Sequence, residues 1–210
     1  MESALDALAG GRLVLTVDDI CHTGSEVVLL AHHATTRAVS RMITLGSGFV
    51  CVTVDPACAT RLGLPPMTWE SRTWDAEAPS YAGRMCVAVD AVEGTTTGIS
   101  ARDRCTTVRT IADPSARPTS LTRPGHVIPV LVDDADEDVR DRVQILSRAG
   151  TLGAHRSLSG TSSPLVFASL TSRAHPCQVA SVEEALAWDM PVLRYSHLAD
   201  IATDDLLHVR

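Results

Sequence analysis

The stretch VEGTTTGISARDRCTTVR (residues 92–109) joins the end of an apolar run to the start of a polar, periodic one. The run before it, MCVAVDAV (85–92), is short and rich in β-branched residues, and predicts a strand. Ser100, followed three residues later by Asp103, has the capping-box pattern and predicts that a helix opens over SARDRCTTVRTIA. Between them, Thr95, Thr96 and Thr97, with Arg104, Thr106 and Thr107 on the helix, lay out a hydroxyl-rich surface.

The same alternation continues outward. RLVLTV (12–17), FVCVTV (49–54), HVIPVLV (126–132), PLVFASL (164–170) and PVLRY (191–195) read as further strands. A helix fits 35–45, where Val39, Met42 and Ile43 share a face and Gly46 offers a C-cap. DEDVRDRVQILSRAG (136–150) places Val139, Val143 and Leu146 together behind an acidic start that complements a helix dipole. Ser181 and Glu184 form a second capping box, and a last helix is expected over HLADIATDDLL (197–207). Residues 56–83 read as irregular and 151–163 as a polar loop. The expectation is one α/β (α+β) domain over 1–210, a mixed sheet covered by helices.

Composition narrows the function. All eighteen Lys+Arg residues are arginine, which removes Schiff-base chemistry and any lysine base. A net charge of −7 argues against nucleic acid or an anionic membrane as partner. No apolar run is long enough to span a bilayer, and MESALDALAGGR lacks the basic start of a signal peptide, so a cytoplasmic protein is expected. Six cysteines (21, 51, 58, 86, 105, 177) make no CxxC pair, which argues against zinc.

Taken together, VEGTTTGISARDRCTTVR, LTRPGHVIPV (121–130) and GSGFVCVTVDPACATRLGLPPM (46–67) resemble the 3,4-dihydroxy-2-butanone 4-phosphate synthase family of riboflavin biosynthesis, and the tail VEEALAWDMPVLRYSHLADI is similar to that family's closing helix–strand–helix. The resemblance implies an α+β fold, a homodimer with its site near the interface, and a magnesium-dependent conversion of ribulose 5-phosphate to dihydroxybutanone phosphate and formate. It also implies functional residues that this chain has replaced. In TVDDICHTGSEVVLL (16–30), Asp18 and Asp19 match the family's aspartates. Its arginine falls on His22, its metal-binding glutamate on Thr23, its second glutamate on Ser25 and its final aspartate on Val27. The second metal ligand, a histidine, falls on Asp138, with Glu137 and Asp136 in place of glycines, and an essential glutamate falls on Ser169. The histidine of Arg-Pro-Gly-His is retained as His126, and the strand cysteine as Cys51.

These replacements bear on chemistry. Magnesium takes hard oxygen ligands, mostly carboxylates, and the neutral hydroxyls of Thr23 and Ser25 are poor substitutes even if Glu26 slips by one position to help. Where the family grips phosphate, this chain reads DDADED (133–138), five carboxylates in six residues. Like charges at ~4 Å repel by several kcal/mol near a surface, so a phosphorylated sugar is expected to be rejected. Neither metal nor cofactor is expected.

The remaining candidates each have a structural alternative. His126 is an acid–base group poised near neutrality, or a residue kept for its turn. Asp18 and Asp19 supply a base and an acceptor, or a solvated strand end. Cys21 is a nucleophile served by His126 or His22, or an incidental loop thiol. His22, Glu26, Cys51, the three threonines, Arg104 and Arg123 would complete a substrate pocket, although core packing is the better reading of Cys51. His32 and His33 lack a metal-ligand spacing. Two functions follow. One is a metal-free enzyme for a non-phosphorylated small molecule in specialised-metabolite biosynthesis, working by enolisation, dehydration, hydrolysis or cyclisation. The other is a non-catalytic relative that binds a small molecule or modulates an intact synthase. The retained His126 motif favours the enzyme.

Overall fold

Among the described residues, seven strands hydrogen-bond into one mixed sheet in the order Val89–Ala91 (β4), Leu121–Leu131 (β5), Cys51–Val54 (β3), Leu165–Ser169 (β6), Ser25–Leu30 (β2), Val14–Val17 (β1) and Val192–Arg194 (β7). The structure, a computed structural model, describes residues 1–67, 84–132, 141–157 and 163–201. In chain order the elements are α1 (Glu2–Ala9), β1 (Val14–Val17), β2 (Ser25–Leu30), α2 (Thr36–Leu45), β3 (Cys51–Val54), α3 (Pro56–Leu62) and β4 (Val89–Ala91). They continue with α4 (Ala101–Ala112), β5 (Leu121–Leu131), α5 (Arg142–Arg156), β6 (Leu165–Ser169), α6 (Val182–Leu186), β7 (Val192–Arg194) and α7 (Tyr195–Ala199). The expected mixed α/β sheet is present.

Both faces of the sheet are covered, and each has its own core. On one side Val39 and Met42 of α2, Leu62 of α3 and Val108 and Ile111 of α4 pack with Val27, Leu29 and Val52. On the other, Leu5 and Leu8 of α1 and Val143 and Leu146 of α5 pack with Val28, Leu30 and Phe167. Burying each such side chain contributes about 1.5–3 kcal/mol.

This double cover explains several differences from the sequence reading. β2, Ser25–Leu30, was not among the expected strands: all six of its residues are buried, so it shows no alternation. α1 was also not expected; its apolar residues Ala4, Leu5, Ala7 and Leu8 are buried against α5. α3 replaces the start of the irregular 56–83 segment. Asp55 caps it by accepting from the Cys58 N–H, Pro56 stands in its first turn, and Gly63 ends it at φ 61°. α5 runs through Arg156, so 151–156 is helix rather than polar loop, with Leu152, Gly153 and Ala154 buried. The expected strand 126–132 begins earlier, at Leu121. That over 85–92 contracts to Val89–Ala91, where a register shift breaks the pairing with β5. α7 begins at Tyr195, earlier than expected. Residues 68–83, 133–140, 158–162 and 202–210, with the DDADED run and Asp138, lie outside the described residues.

Candidate active site

β4 and β5 bring two side chains together that are 36 residues apart in the chain. His126 Nδ1 is 2.7 Å from Asp90 Oδ2, and the His126 backbone N–H donates to Asp90 Oδ1 at 3.0 Å. The carboxylate therefore holds both the ring and the backbone of His126. Asp90 is 6% exposed, while the histidine side chain is 37% exposed. Nδ1 is committed to the carboxylate, which leaves Nε2 as the nitrogen for exchange with a ligand.

Two glycines allow this approach. A Cβ on Gly125 would lie 1.9 Å from the Val89 carbonyl carbon, so only glycine lets β5 run this close to β4. Gly98, at φ +82°, stands directly against the side chains of the pair. Its loop is fixed by Asp103, whose carboxylate accepts from the N–H and hydroxyl of Thr96 and from the N–H of Gly98. Ser100 caps α4 by accepting from the Asp103 N–H, as the sequence predicts, but Asp103 turns back to the threonine loop. The Thr96 hydroxyl, first among these donors, holds the Asp103 carboxyl below its ordinary value. Thr95 donates to Ala91 O. Arg104 donates to Ile99 O and Gly48 O at 3.0 and 2.6 Å. Burial pulls its pKa down while nearby Asp90 pulls it up. Thr95, Thr96 and Arg104 thus support the dyad; Thr97 lies in the same loop.

The other candidates are used elsewhere. Asp18 accepts from the N–H groups of Ile20, Cys21 and Thr23 and from the Thr23 hydroxyl, folding 18–23 around one carboxylate. Burial raises its pKa, but the Thr23 hydroxyl and these backbone donors bring the net value below the ordinary one. Asp19 accepts from the N–H and hydroxyl of Ser196 at the start of α7. Burial again opposes the shift, and the Ser196 donors with Arg194 carry it downward. Cys21 and His22 are exposed, His22 at φ 57°. Cys51 is buried in β3 and its thiol is pushed up to about 12 by burial, which fits core packing rather than substrate contact. Arg123 donates to Leu62 O and Gly63 O at 2.7 and 3.0 Å, closing the end of α3.

Glu26 is 1% exposed. It accepts from Thr16 Oγ1 at 2.6 Å and Tyr195 OH at 2.9 Å, and forms an ion pair with Arg142 at 2.8 Å. Register places it opposite Ser169. The pairings Val28–Phe167, Phe167–Cys51 and Cys51–Ile128 then put Glu26, Ser169 and His126 on one face of the sheet, because side chains alternate along each strand. Three strand spacings, about 14 Å, separate Glu26 from His126. Within one chain the structure therefore joins His126 to Asp90, not to Asp18, Asp19 or Cys21. Asp90 was missed in the sequence reading. The available cue was a lone aspartate inside an otherwise apolar strand.

The donors of the 18–26 loop do not fit a divalent cation. The Thr23 hydroxyl is given to Asp18, while one Glu26 oxygen accepts from Thr16 and Tyr195 and the other is ion-paired with Arg142. Ser25 Oγ is buried without a partner among the described residues. No group of three or more His, Cys, Asp or Glu side chains able to hold a metal occurs among them either.

Comparison with known proteins gives a consistent picture. The family model described as 3,4-dihydroxy-2-butanone 4-phosphate synthase matches residues 2–151. A protein of that name from Vibrio cholerae is 31% identical over 215 residues, covering all of this chain and 89% of its own length. A namesake from Chromobacterium violaceum is 41% identical over 132 residues, 62% of this chain and 60% of that protein. The riboflavin biosynthesis protein RibBA of Nocardia farcinica is 42% identical over 135 residues, 64% of this chain but 31% of that protein. Among solved structures, a synthase in complex with two magnesium ions superposes with a TM-score of 0.78 at 26% identity, covering 93% of this chain and 92% of its own. With the fold matched along nearly the whole chain and the sequence matched through the His126 motif, this chain belongs to the 3,4-dihydroxy-2-butanone 4-phosphate synthase family.

Proposed function

We propose that this chain is a divergent member of the family: a metal-independent acid–base catalyst acting on a non-phosphorylated small molecule in specialised-metabolite biosynthesis. The observation that carries the reading is the Asp90–His126 pair, assembled in full by the chain's own residues. With Nδ1–H donated to Asp90, Nε2 takes a proton from an acidic position of the substrate. The imidazolium formed lies against the Asp90 carboxylate, and Nε2 returns the proton to the product. Enolisation, dehydration, hydrolysis and ring closure all need such a group.

The relatives named as synthases suggest the parent activity. Thr23, Ser25 and Val27, standing where the resemblance implies two glutamates and an aspartate, weigh against it here, as does DDADED at the phosphate-binding position. Two assays test the reading. Turnover of a candidate substrate should survive EDTA and be lost in His126→Ala. Formate release from ribulose 5-phosphate that requires magnesium would overturn it.

The non-catalytic alternative draws support from the 18–26 loop, where Asp18, Asp19 and Glu26 all serve the fold. Substrate binding without turnover would favour it. A homodimer is part of the proposal: Phe49 and Ile99 are 47% and 54% exposed beside the Arg104 contacts to Gly48 and Ile99. Sedimentation of the purified protein tests that point.

A further inference from the structure

Between β2 and the first turn of α5 lies a polar cluster closed to solvent. Tyr195 and Glu26 are 2% and 1% exposed, and Thr16 is fully buried. One Glu26 oxygen takes the hydroxyls of Thr16 and Tyr195, and the other faces Arg142 Nε at 2.8 Å, an ion pair rather than an aligned hydrogen bond. Burial is the largest cause raising the Tyr195 hydroxyl well above its ordinary pKa, with adjacent Glu26 adding to it and Arg142 opposing. Tyr195 is thus the donor in its contact with Glu26.

Arg142 is the first residue of α5, and its guanidinium reaches across to the 18–26 loop. Its Nη2 is 3.4 Å from where a Cβ on Gly24 would stand. One side chain therefore spans from the helix to the loop and offsets the buried charge there. A buried carboxylate requires a compensating cation, and removing it leaves a large uncompensated penalty. A bound divalent ion would do the same two things, neutralising carboxylates and tying two segments together. The family resemblance places its two metal ligands at Thr23, in this loop, and at Asp138, four residues before Arg142 in the chain.

We propose that Arg142 is an internal cation taking the place of a divalent ion, a positioning residue that ties the start of β2, and the loop leading into it, to α5 through Glu26. It rests on the metal-free reading of the site. Asp18 and Asp19 fit the same pattern, since each draws its donors from the chain.

The test is thermal denaturation of the full chain with MgCl2 or EDTA. Wild type should melt at the same temperature in both. Arg142→Met should melt lower by on the order of 10 °C, and MgCl2 should raise its midpoint because Glu26 has lost its cation. The double variant Glu26→Gln/Arg142→Met should melt above the single variant and ignore MgCl2. Arg142→Lys should recover most of the loss, and it carries the test if Arg142→Met fails to fold. Indifference of folded Arg142→Met to MgCl2, or a Lys variant as unstable as the Met one, overturns the internal cation. Saturable stabilisation of wild type by MgCl2 overturns instead the metal-free reading beneath it.

Discussion

Gly98 lies so close to Asp90 that a Cβ on it would stand 1.9 Å from Oδ2, and 2.6 Å from His126 Nδ1. Space and backbone conformation both demand glycine, since φ is +82°. Gly98→Ala is expected to push the 94–100 loop off the dyad and to cost roughly 1–3 kcal/mol of stability. Thermal denaturation and the His126 imidazole NMR signals check this together. An unchanged imidazole spectrum would show that the loop does not set the geometry.

Asp90→Asn keeps the shape of the side chain but removes the negative charge beside the imidazolium. It also allows the amide to present a donor to Nδ1, favouring the wrong tautomer. Once a substrate is in hand, turnover should fall by about 10²–10⁴-fold, with a much smaller effect on substrate binding. The imidazole nitrogen chemical shifts should report the tautomer change without substrate. A variant with full turnover would leave His126 acting alone.

What the sequence revealed and what it hid follow from the same physics. Caps were legible because their chemistry is local: Ser100 and Ser181 both accept from the backbone N–H three residues on. The strand–turn–helix around residues 92–109 was legible for the same reason, whereas the turn expected at Pro124 and Gly125 is not formed: His126 lies inside the continuous strand Leu121–Leu131, whose pairing with β4 shifts register there. β2 was hidden because burial on both faces removes alternation, and α1 because eight residues give little periodicity. The partnership of Asp90 with His126 is a tertiary fact, made by the antiparallel pairing of β4 with β5. The same holds for Glu26, whose partners Tyr195 and Arg142 come from distant parts of the chain.

Acid should loosen the 18–26 loop before it unfolds the sheet. Asp18 and Asp19 are both held below the ordinary value of 3.8 in the folded state. Depressed carboxyls stabilise the fold above their unfolded value, and that contribution is lost as pH falls from there through the folded value. Asp18→Asn should be less stable near neutrality, and its stability should fall less than that of wild type as pH drops below about 4. Denaturation midpoints across pH measure both. Parallel curves for the two proteins would remove Asp18 from the acid response.

Thiol reactivity offers a separate check on the packing. Cys21 and Cys177 are exposed, whereas Cys51, Cys86 and Cys105 are buried. Burial is the main cause that raises all three thiols, Cys51 to about 12 and Cys86 to about 11. A maleimide at mildly alkaline pH should label Cys21 and Cys177 in the native protein, and the buried three only after denaturation. Peptide mass spectrometry reads the result. Rapid native labelling of Cys51 would return it to the list of substrate contacts.

Arg123 separates a structural role from a binding one. Its Nη2 donates to the carbonyls of Leu62 and Gly63, and its Nη1 to Pro118 O and Leu121 O, so one cation joins the end of α3 to the start of β5. A cation at a helix C-terminus also opposes the helix dipole. Arg123→Ala removes these donors and should cost about 1–2 kcal/mol, a fall of roughly 2–8 °C in melting temperature. The effect should appear in stability, leaving the substrate affinity of the folded fraction unchanged, and Arg123→Lys should recover only part because an ammonium lacks the fork that serves both ends. Weaker ligand binding at unchanged stability would instead make Arg123 a substrate contact, and would move the pocket from the Nε2 side of His126 toward the end of α3.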